Sequence, residues 1–248
     1  MIIPDFKKLS DPFSDTIKGG ESEICWREFL LCNYNFINHC SYKLKENELS
    51  MLICSLSTWM KKSNFTQYKT YDNTKNMMIE KEINIGDICF ADLGINFKPE
   101  CSYAHPVLVV EKVDNLLVVI PTSTNKEKIQ NAYDFENKTG KWFYVKANKS
   151  NGFNGECALM LNNLKTISKS RIIEKKNIID NGNFKDGSLF YNVKELLFKN
   201  YFPKHNIKLY NTLVKLSEKE DEISKLHNEI DELKKEIKLL KSYRENTK

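Results

Sequence analysis

Two hydrophobic periods divide this 248-residue chain. In the first sixty residues the period is helical. Trp26, Phe29, Leu30, Tyr34 and Ile37 recur at helical spacing. Leu49, Leu52, Ile53, Leu56, Trp59 and Met60 follow i, i+3, i+4, i+7, i+10 and i+11, a one-sided stripe. The pattern predicts two helices that form a packing layer. His39 and Cys40 lie between the stripes and read as structural. Residues 63–82 are rich in Asn, Thr and Lys and predict a linker or exposed loop.

From Gly86 the period shortens to that of strands. Ile88–Ala91, Pro106–Val110 and Leu116–Ile120 are short apolar runs, the last two β-branched, with Asp114-Asn115 as a hairpin turn between them. Trp142–Val145 and Cys157–Leu161 read as further strands. Closely spaced short strands predict a small barrel or strongly curved sheet. A helix follows over Ser188 to Phe202, with Leu189, Val193, Leu196 and Leu197 on one face, a start at Asp186-Gly187-Ser188 and a stop at Pro203.

The tail has a third pattern. Ile223, Ile230 and Ile237 occupy position a of a heptad and Leu226, Leu233 and Leu240 position d; Leu209 and Leu216 extend a backwards, while Thr212 and Lys219 interrupt d. Ile at a with Leu at d favours a parallel two-stranded coiled coil. Position g holds Glu222, Glu229 and Glu236, and position e holds His227, Lys234 and Lys241. A parallel dimer pairs Glu229 with Lys234 and Glu236 with Lys241 across the seam; an antiparallel one sets like charges together. The alternative is a solvated helix that packs its stripe on its own domain. The patterns together predict an α+β chain in three parts: a helical region over 1–82, a barrel domain over 83–206 and a coiled-coil tail over 207–248, with a homodimer through the barrel, through residues 209–240, or both.

Composition narrows the classes. The apolar share of 41% and charged share of 29% are those of an ordinary folded protein. No run of about 18 apolar residues exists, so no membrane span is expected. The opening Met1-Ile2-Ile3-Pro4-Asp5 has neither a basic nor an apolar signal region. The seven cysteines show no CxxC pairing, which predicts reduced thiols and a cytoplasmic setting. The formal net charge is +5: residues 1–82 are neutral, 83–176 carry +3, 177–206 carry +1 and 207–248 carry +1. The excess therefore lies in the middle, and is weak evidence for a nucleic-acid partner. Of 38 basic residues only Arg27, Arg171 and Arg244 are arginines. A phosphate site must then rely on Lys, His, hydroxyls or backbone N–H groups, because Arg is the better bidentate clamp.

Four ordered elements carry a resemblance. Gly86-Asp87-Ile88-Cys89-Phe90-Ala91-Asp92-Leu93-Gly94 comes first, then His105-Pro106-Val107-Leu108-Val109-Val110, then Ile120-Pro121-Thr122-Ser123. The fourth runs from Gly155-Glu156-Cys157-Ala158-Leu159-Met160-Leu161 to Leu164-Lys165-Thr166-Ile167-Ser168-Lys169-Ser170-Arg171. In order and spacing, residues 83–202 resemble the MazF/PemK toxins of type II toxin–antitoxin systems. The resemblance implies an SH3-like β-barrel that dimerises, cleaves single-stranded RNA without metal or cofactor, and is held by an antitoxin protein. It also implies attack of the ribose 2′-hydroxyl on the adjacent phosphate. The family's catalytic Thr falls on Thr122; its catalytic Arg falls on His105. Lys165 and Asn163 stand where the family has Arg and Gln.

The chemistry of these residue types agrees. His can be a base or an acid near neutral pH. Thr122 and Ser123 can donate to phosphate oxygens, Glu100 can be a partner base, and Lys165 with Asn163 can contact RNA. His105, Thr122 and Glu100 are thus the candidate catalytic residues, and Ser123, Lys165 and Asn163 the candidate RNA contacts. The alternatives are a surface His105 beside Pro106, and Thr122 and Ser123 as turn hydroxyls. Nothing marks Cys101 as a nucleophile. Three functions stay open: an endoribonuclease toxin, a non-catalytic nucleic-acid- or antitoxin-binding member of the same fold, and a coiled-coil assembly protein.

Overall fold

The computed structural model describes residues 19–246, with side chains described except at 205, 206, 236 and 238–246. The architecture is α+β. The chain divides into two compact units, one ending at Asn181 and the other beginning at Gly182.

The first unit opens with two helices. In α1 (Glu23–Lys43) the Ser22 hydroxyl caps the start by accepting the Cys25 N–H at 3.3 Å. In α2 (Glu46–Lys62) the Glu48 carboxylate takes the Lys45 N–H at 3.0 Å. The expected packing layer is only half realised. Trp26, Phe29, Leu30, Tyr34 and Ile37 are 48–62% exposed, and the buried residue of α1 is Glu28. The reason is geometric: Ile24, Phe36 and Tyr42 are exposed too, so the apolar residues surround α1 instead of forming one stripe. In α2, Leu52 and Ser55 are buried while Ile53, Trp59 and Met60 face out.

Polar contacts tie α2 to the sheet. Ser55 Oγ donates to the Asp92 carboxylate, 2.8 and 3.0 Å from its two oxygens. Lys62 Nζ donates to the Ile172 carbonyl at 2.8 Å. The stretch expected as a loop, 63–82, instead contains a hairpin, β1 (Lys69–Asp72) and β2 (Met77–Glu80). Its turn is closed by Asp72, whose Oδ1 accepts from Thr74 and Lys75. The polar composition concealed it because both strands are largely exposed; only the flanking Tyr68 and Ile83 enter the core.

The main sheet comprises β3 (Asp87–Asp92), β4 (Ala104–Val113), β5 (Leu116–Ser123), β6 (Ala132–Tyr133), β7 (Lys141–Ala147), β8 (Cys157–Met160), β9 (Lys165–Ser168) and β10 (Ile172–Ile178). It contains the five predicted strands and three that were not predicted, β6, β9 and β10. The order is β10-β3-β4-β5-β8-β7-β6, with β9 on β5. Asp114 at φ 50° makes the β4–β5 turn. The start of β5 pairs with β9 through Leu116–Val119, and its end pairs with β8 through Thr122 and Ser123. One strand thus serves two partners on the same edge, as a strongly curved sheet requires. Among the described residues no ring of strands closes. A short helix, α3 (Lys126–Gln130), follows β5 and is capped by Asn125 Oδ1, which accepts from Glu127 and Lys128. Sequence patterning had not indicated it.

Both faces of the central strands are buried. Cys89, Ala91, Val107, Val109, Leu117 and Val119 share the core on one face. Ile88, Leu108 and Ile120 are buried on the other. At about 25 cal/mol per Å² of apolar surface, this two-sided burial dominates the sheet's stability.

In the second unit, α4 (Leu189–Tyr201) is capped by Ser188 and buries Phe190, Val193 and Leu196. Then α5 (Pro203–Asn246) runs 44 residues, about 66 Å at 1.5 Å per residue. Ile223, Leu226, Ile230, Leu233 and Ile237 along it are 47–57% exposed. The side chains of Glu236, Leu240 and Lys241, invoked for the heptads, lie outside the described residues. No helix among the described residues is long and apolar enough to cross a membrane.

The Ser55–Asp92 contact predicts a measurable loss. Ser55→Ala leaves a buried carboxylate without one charge-assisted donor, which costs about 1.5–3 kcal/mol. Equilibrium urea unfolding of the full chain checks it; an unchanged midpoint would show that the contact does not anchor α2.

Candidate functional site

Strand pleat decides which candidates can meet. The register pairs Ala91 with His105, Phe90 with Pro106, Val107 with Pro121 and Leu108 with Ile120. Alternation then puts His105 and Ser123 on the Ala91 face, and Thr122 on the Pro106 face. The Thr122 hydroxyl donates to the Pro106 carbonyl at 3.3 Å and is nearly sealed from solvent. It lines a pocket of about 120 Å³ with Phe90, Pro106, Phe153 and Cys157. So the structure separates the side chains of the two principal candidates, although His105 hydrogen-bonds the backbone of Thr122.

The His105 face collects most of the other candidates. The loop between β3 and β4 folds over it. Asn96 Nδ2 ties the loop by donating to the carbonyls of Leu93 and Cys101, at 3.1 and 2.8 Å. Asn163 Oδ1 accepts the Cys101 N–H at 2.7 Å. Lys165 Nζ reaches both the Glu100 carboxylate and the Cys101 carbonyl at 3.1 Å. Glu100 is therefore the partner of Lys165, on the loop rim. Ser123 Oγ accepts the Asn125 N–H at 3.3 Å and thereby helps start α3.

Three further side chains complete this face. Lys128, on α3, reaches Met160 Sδ at 3.2 Å and stands 5.8 Å from the centroid of the Tyr144 ring. Tyr144 and Met160 are paired across β7 and β8. Lys128 escaped the sequence reading, but Asn125 at the end of a strand run was a legible helix cap.

The electrostatics follow from this crowding. Burial pushes the His105 pKa below its ordinary 6.5, and Lys128 adds to the shift; hydrogen bonds to the backbone of Thr122 and Ser102 partly oppose it. The ring is therefore neutral at neutral pH. Burial raises the Cys101 thiol, against the pull of Lys128 and Lys165. It stays protonated and is a poor nucleophile. What results is a neutral imidazole near the Lys128 ammonium, on the face where Lys165 holds the loop. Among the described residues no three His, Cys, Asp or Glu side chains converge as a metal site, and all seven cysteines are unpaired.

The His105 shift has a signed consequence. The unfolded chain takes the proton first as pH falls below 6.5, so stability drops with falling pH from there to the folded pKa. The His105 ring proton signals should titrate below 6.5 in the folded chain. The loss of stability between pH 7.5 and 5.5 should shrink in His105→Gln. A midpoint at or above 6.5 would remove the neutral-imidazole assignment.

Comparison with known proteins places this geometry. Residues 84–186 match a family model described as the PemK-like, MazF-like toxin of type II toxin–antitoxin systems. No curated protein matches the chain. The matched segment holds β3 to β10 and every residue of the cleft. Residues 84–186 of this chain are thus similar to the PemK/MazF-like toxins.

Proposed function

We propose that this protein is a toxin-type endoribonuclease that cleaves single-stranded RNA at the His105 cleft without a metal. The single observation that carries the reading is the neutral His105 ring near Lys128, on the face where Lys165 holds the loop by the Cys101 carbonyl. Neutral His105 takes the proton of a ribose 2′-hydroxyl. The 2′-oxygen bonds to the adjacent phosphorus and the bond from phosphorus to the 5′-oxygen breaks, with water protonating the leaving oxygen. The products are a 2′,3′-cyclic phosphate and a 5′-hydroxyl. Lys128 and Lys165 meet the non-bridging oxygens as charge builds.

The remaining candidates take supporting roles. Glu100 holds Lys165 until phosphate displaces it, so it is a positioning residue in place of a second base. Asn163 fixes the loop by its oxygen and offers its amide nitrogen to a base. Ser123 sits on the cleft side, and Thr122 orders the β4–β5 end from the opposite face. Phe97, 87% exposed on the loop, is a stacking platform for a nucleotide base.

The curved path in which β5 leaves β9 for β8 supports an SH3-like barrel as the module's fold. The half-exposed Ile and Leu stripe of α5, with Glu at g and Lys at e, supports a parallel coiled-coil homodimer. Within this reading the parts are 1–82, 83–206 and 207–248, an antitoxin protein is the physiological partner, and the site of action is the cytoplasm. One observation favours the binding-only alternative: the Thr122 hydroxyl is spent on Pro106.

Two measurements decide. Incubation with single-stranded RNA should give cyclic-phosphate and 5′-hydroxyl ends. His105→Ala should lower kcat/KM by about 10²–10⁴, and the wild-type rate should rise with pH through a pKa below 6.5 and then level off. RNA bound but left intact by wild type would establish the binding-only alternative. For the tail, sedimentation of the full chain should show a dimer, and the chain cut after Asn206 should show a smaller or weaker assembly; equal states would remove the coiled-coil dimer.

A further inference from the structure

A second cleft lies away from His105, between the last turn of α2 and the turn from β9 to β10. It encloses about 210 Å³, and its lining includes Trp59, Lys62, Asp92, Ser168, Ser170 and Arg171. We propose that this cleft binds a nucleotide, with its phosphate between Lys62 and Arg171 and its base stacked on Trp59. The chemistry at His105 is not needed for this, so the two readings stand or fall separately.

The donors are aimed and under-used. Among the described residues the Arg171 guanidinium makes one hydrogen bond, from Nη1 to the Asp92 carbonyl at 3.3 Å. Four of the five N–H donors of an Arg therefore remain. Gly94, at φ +81°, lets it lie there: a Cβ would come within 2.8 Å of Nη1. Lys62 spends one donor on the Ile172 carbonyl at 2.8 Å. Burial lowers its pKa while Asp92 raises it; a second anion would raise it further. Ser168 and Ser170 share a hydrogen bond at 2.9 Å on the opposite wall.

Asp92 does not close the cleft to anions. Its carboxylate is occupied by Ser55 Oγ and by the Gly94 N–H at 3.0 Å, so one carboxylate stands against two cations. The end of α2 presents carbonyls, which oppose an anion. Those of Trp59 and Lys62 are already taken by the N–H groups of Ser63 and Phe65.

Size selects the ligand class. The cleft is smaller than the roughly 300 Å³ at which drug-sized sites begin. It holds a phosphate with part of a sugar, while a base must lie at the rim. The rim carries Trp59, 63% exposed, where an indole face can stack a base. The α2 wall precedes the family-matched segment at residue 84, while Asp92 and Arg171 lie within it, so the pocket forms where the helical addition meets that segment.

Calorimetric titration of the full chain at low salt tests this with AMP, inorganic phosphate and a short single-stranded RNA. AMP should bind, and Trp59→Ala should weaken it roughly 5- to 150-fold, the worth of one stacked base. Trp59 is exposed, so this variant should keep its unfolding midpoint; Arg171→Gln should weaken AMP and phosphate alike. If RNA competes with AMP, the nucleotide is part of a strand; if it does not, the ligand is a free nucleotide. No AMP binding, or AMP binding that both variants leave unchanged, overturns the proposal. AMP binding in a chain that leaves RNA intact would sink the nuclease reading and keep this one.

Discussion

The buried Asp92 carboxylate is the constraint around which the first unit is arranged. It ends β3, accepts from Ser55 on α2 and from the Gly94 N–H, and its carbonyl holds Arg171. A buried carboxylate must be fully hydrogen-bonded, because an unpaired one costs several kcal/mol. The need to satisfy it fixes two things at once, where α2 docks and how the chain turns into the loop, while the backbone carbonyl of the same residue holds Arg171. That loop then carries Glu100, Cys101 and Ser102 to the face on which His105 stands. The position of the cleft thus depends on a contact made by a helix outside the family-matched segment.

The second constraint is the two-sided burial of β3, β4 and β5. With both faces packed, a one-residue register slip would turn polar groups into the core, so the register is strongly specified. That register puts Thr122 with Phe90 and Pro106, and His105 with Ser123. Two residues that sit at corresponding ends of adjacent strands can look paired in a motif and still be divided by the sheet. What crosses the division is the backbone of Thr122, which hydrogen-bonds the His105 ring.

The legible parts of the fold were those with one dominant period. The strands over Ile88–Ala91, Pro106–Val110 and Leu116–Ile120 announced themselves by short apolar runs, the last two β-branched, and the Asp114-Asn115 turn by its residue types. The hairpin over 69–80 did not, since it is largely exposed and its polar residues mimic a loop. The fate of α1 was illegible for the opposite reason: helical spacing shows that apolar residues recur, not that a surface exists to receive them. At the site, the motif order located His105, Lys165 and Asn163, which the loop does gather. Lys128 lay outside every motif, on a five-residue helix too short to have a period. No sequence pattern encodes the pairing of Glu100 with Lys165, because the loop closure that creates it joins positions 65 residues apart.

The exchange of a permanent cation for a titratable ring at position 105 changes the demands on the rest of the cleft. The family resemblance implies an Arg there, which cannot lose its proton and so acts on phosphate by charge. The half-buried His105 is neutral at neutral pH, so it can accept a proton but cannot clamp an anion. Positive charge must then come from neighbours. Lys165 lies under the loop, and Lys128 leans over Tyr144 toward Met160. These roles reinforce one another, because the charge of Lys128 is itself one reason that the His105 pKa is lowered. In the proposed reaction, a lysine that would attract phosphate also adds to the burial that leaves its neighbour unprotonated and ready to accept. In a chain with 35 lysines and three arginines, that division of labour between ring and ammonium groups offers a physical route by which an Arg-type site can be rebuilt without Arg.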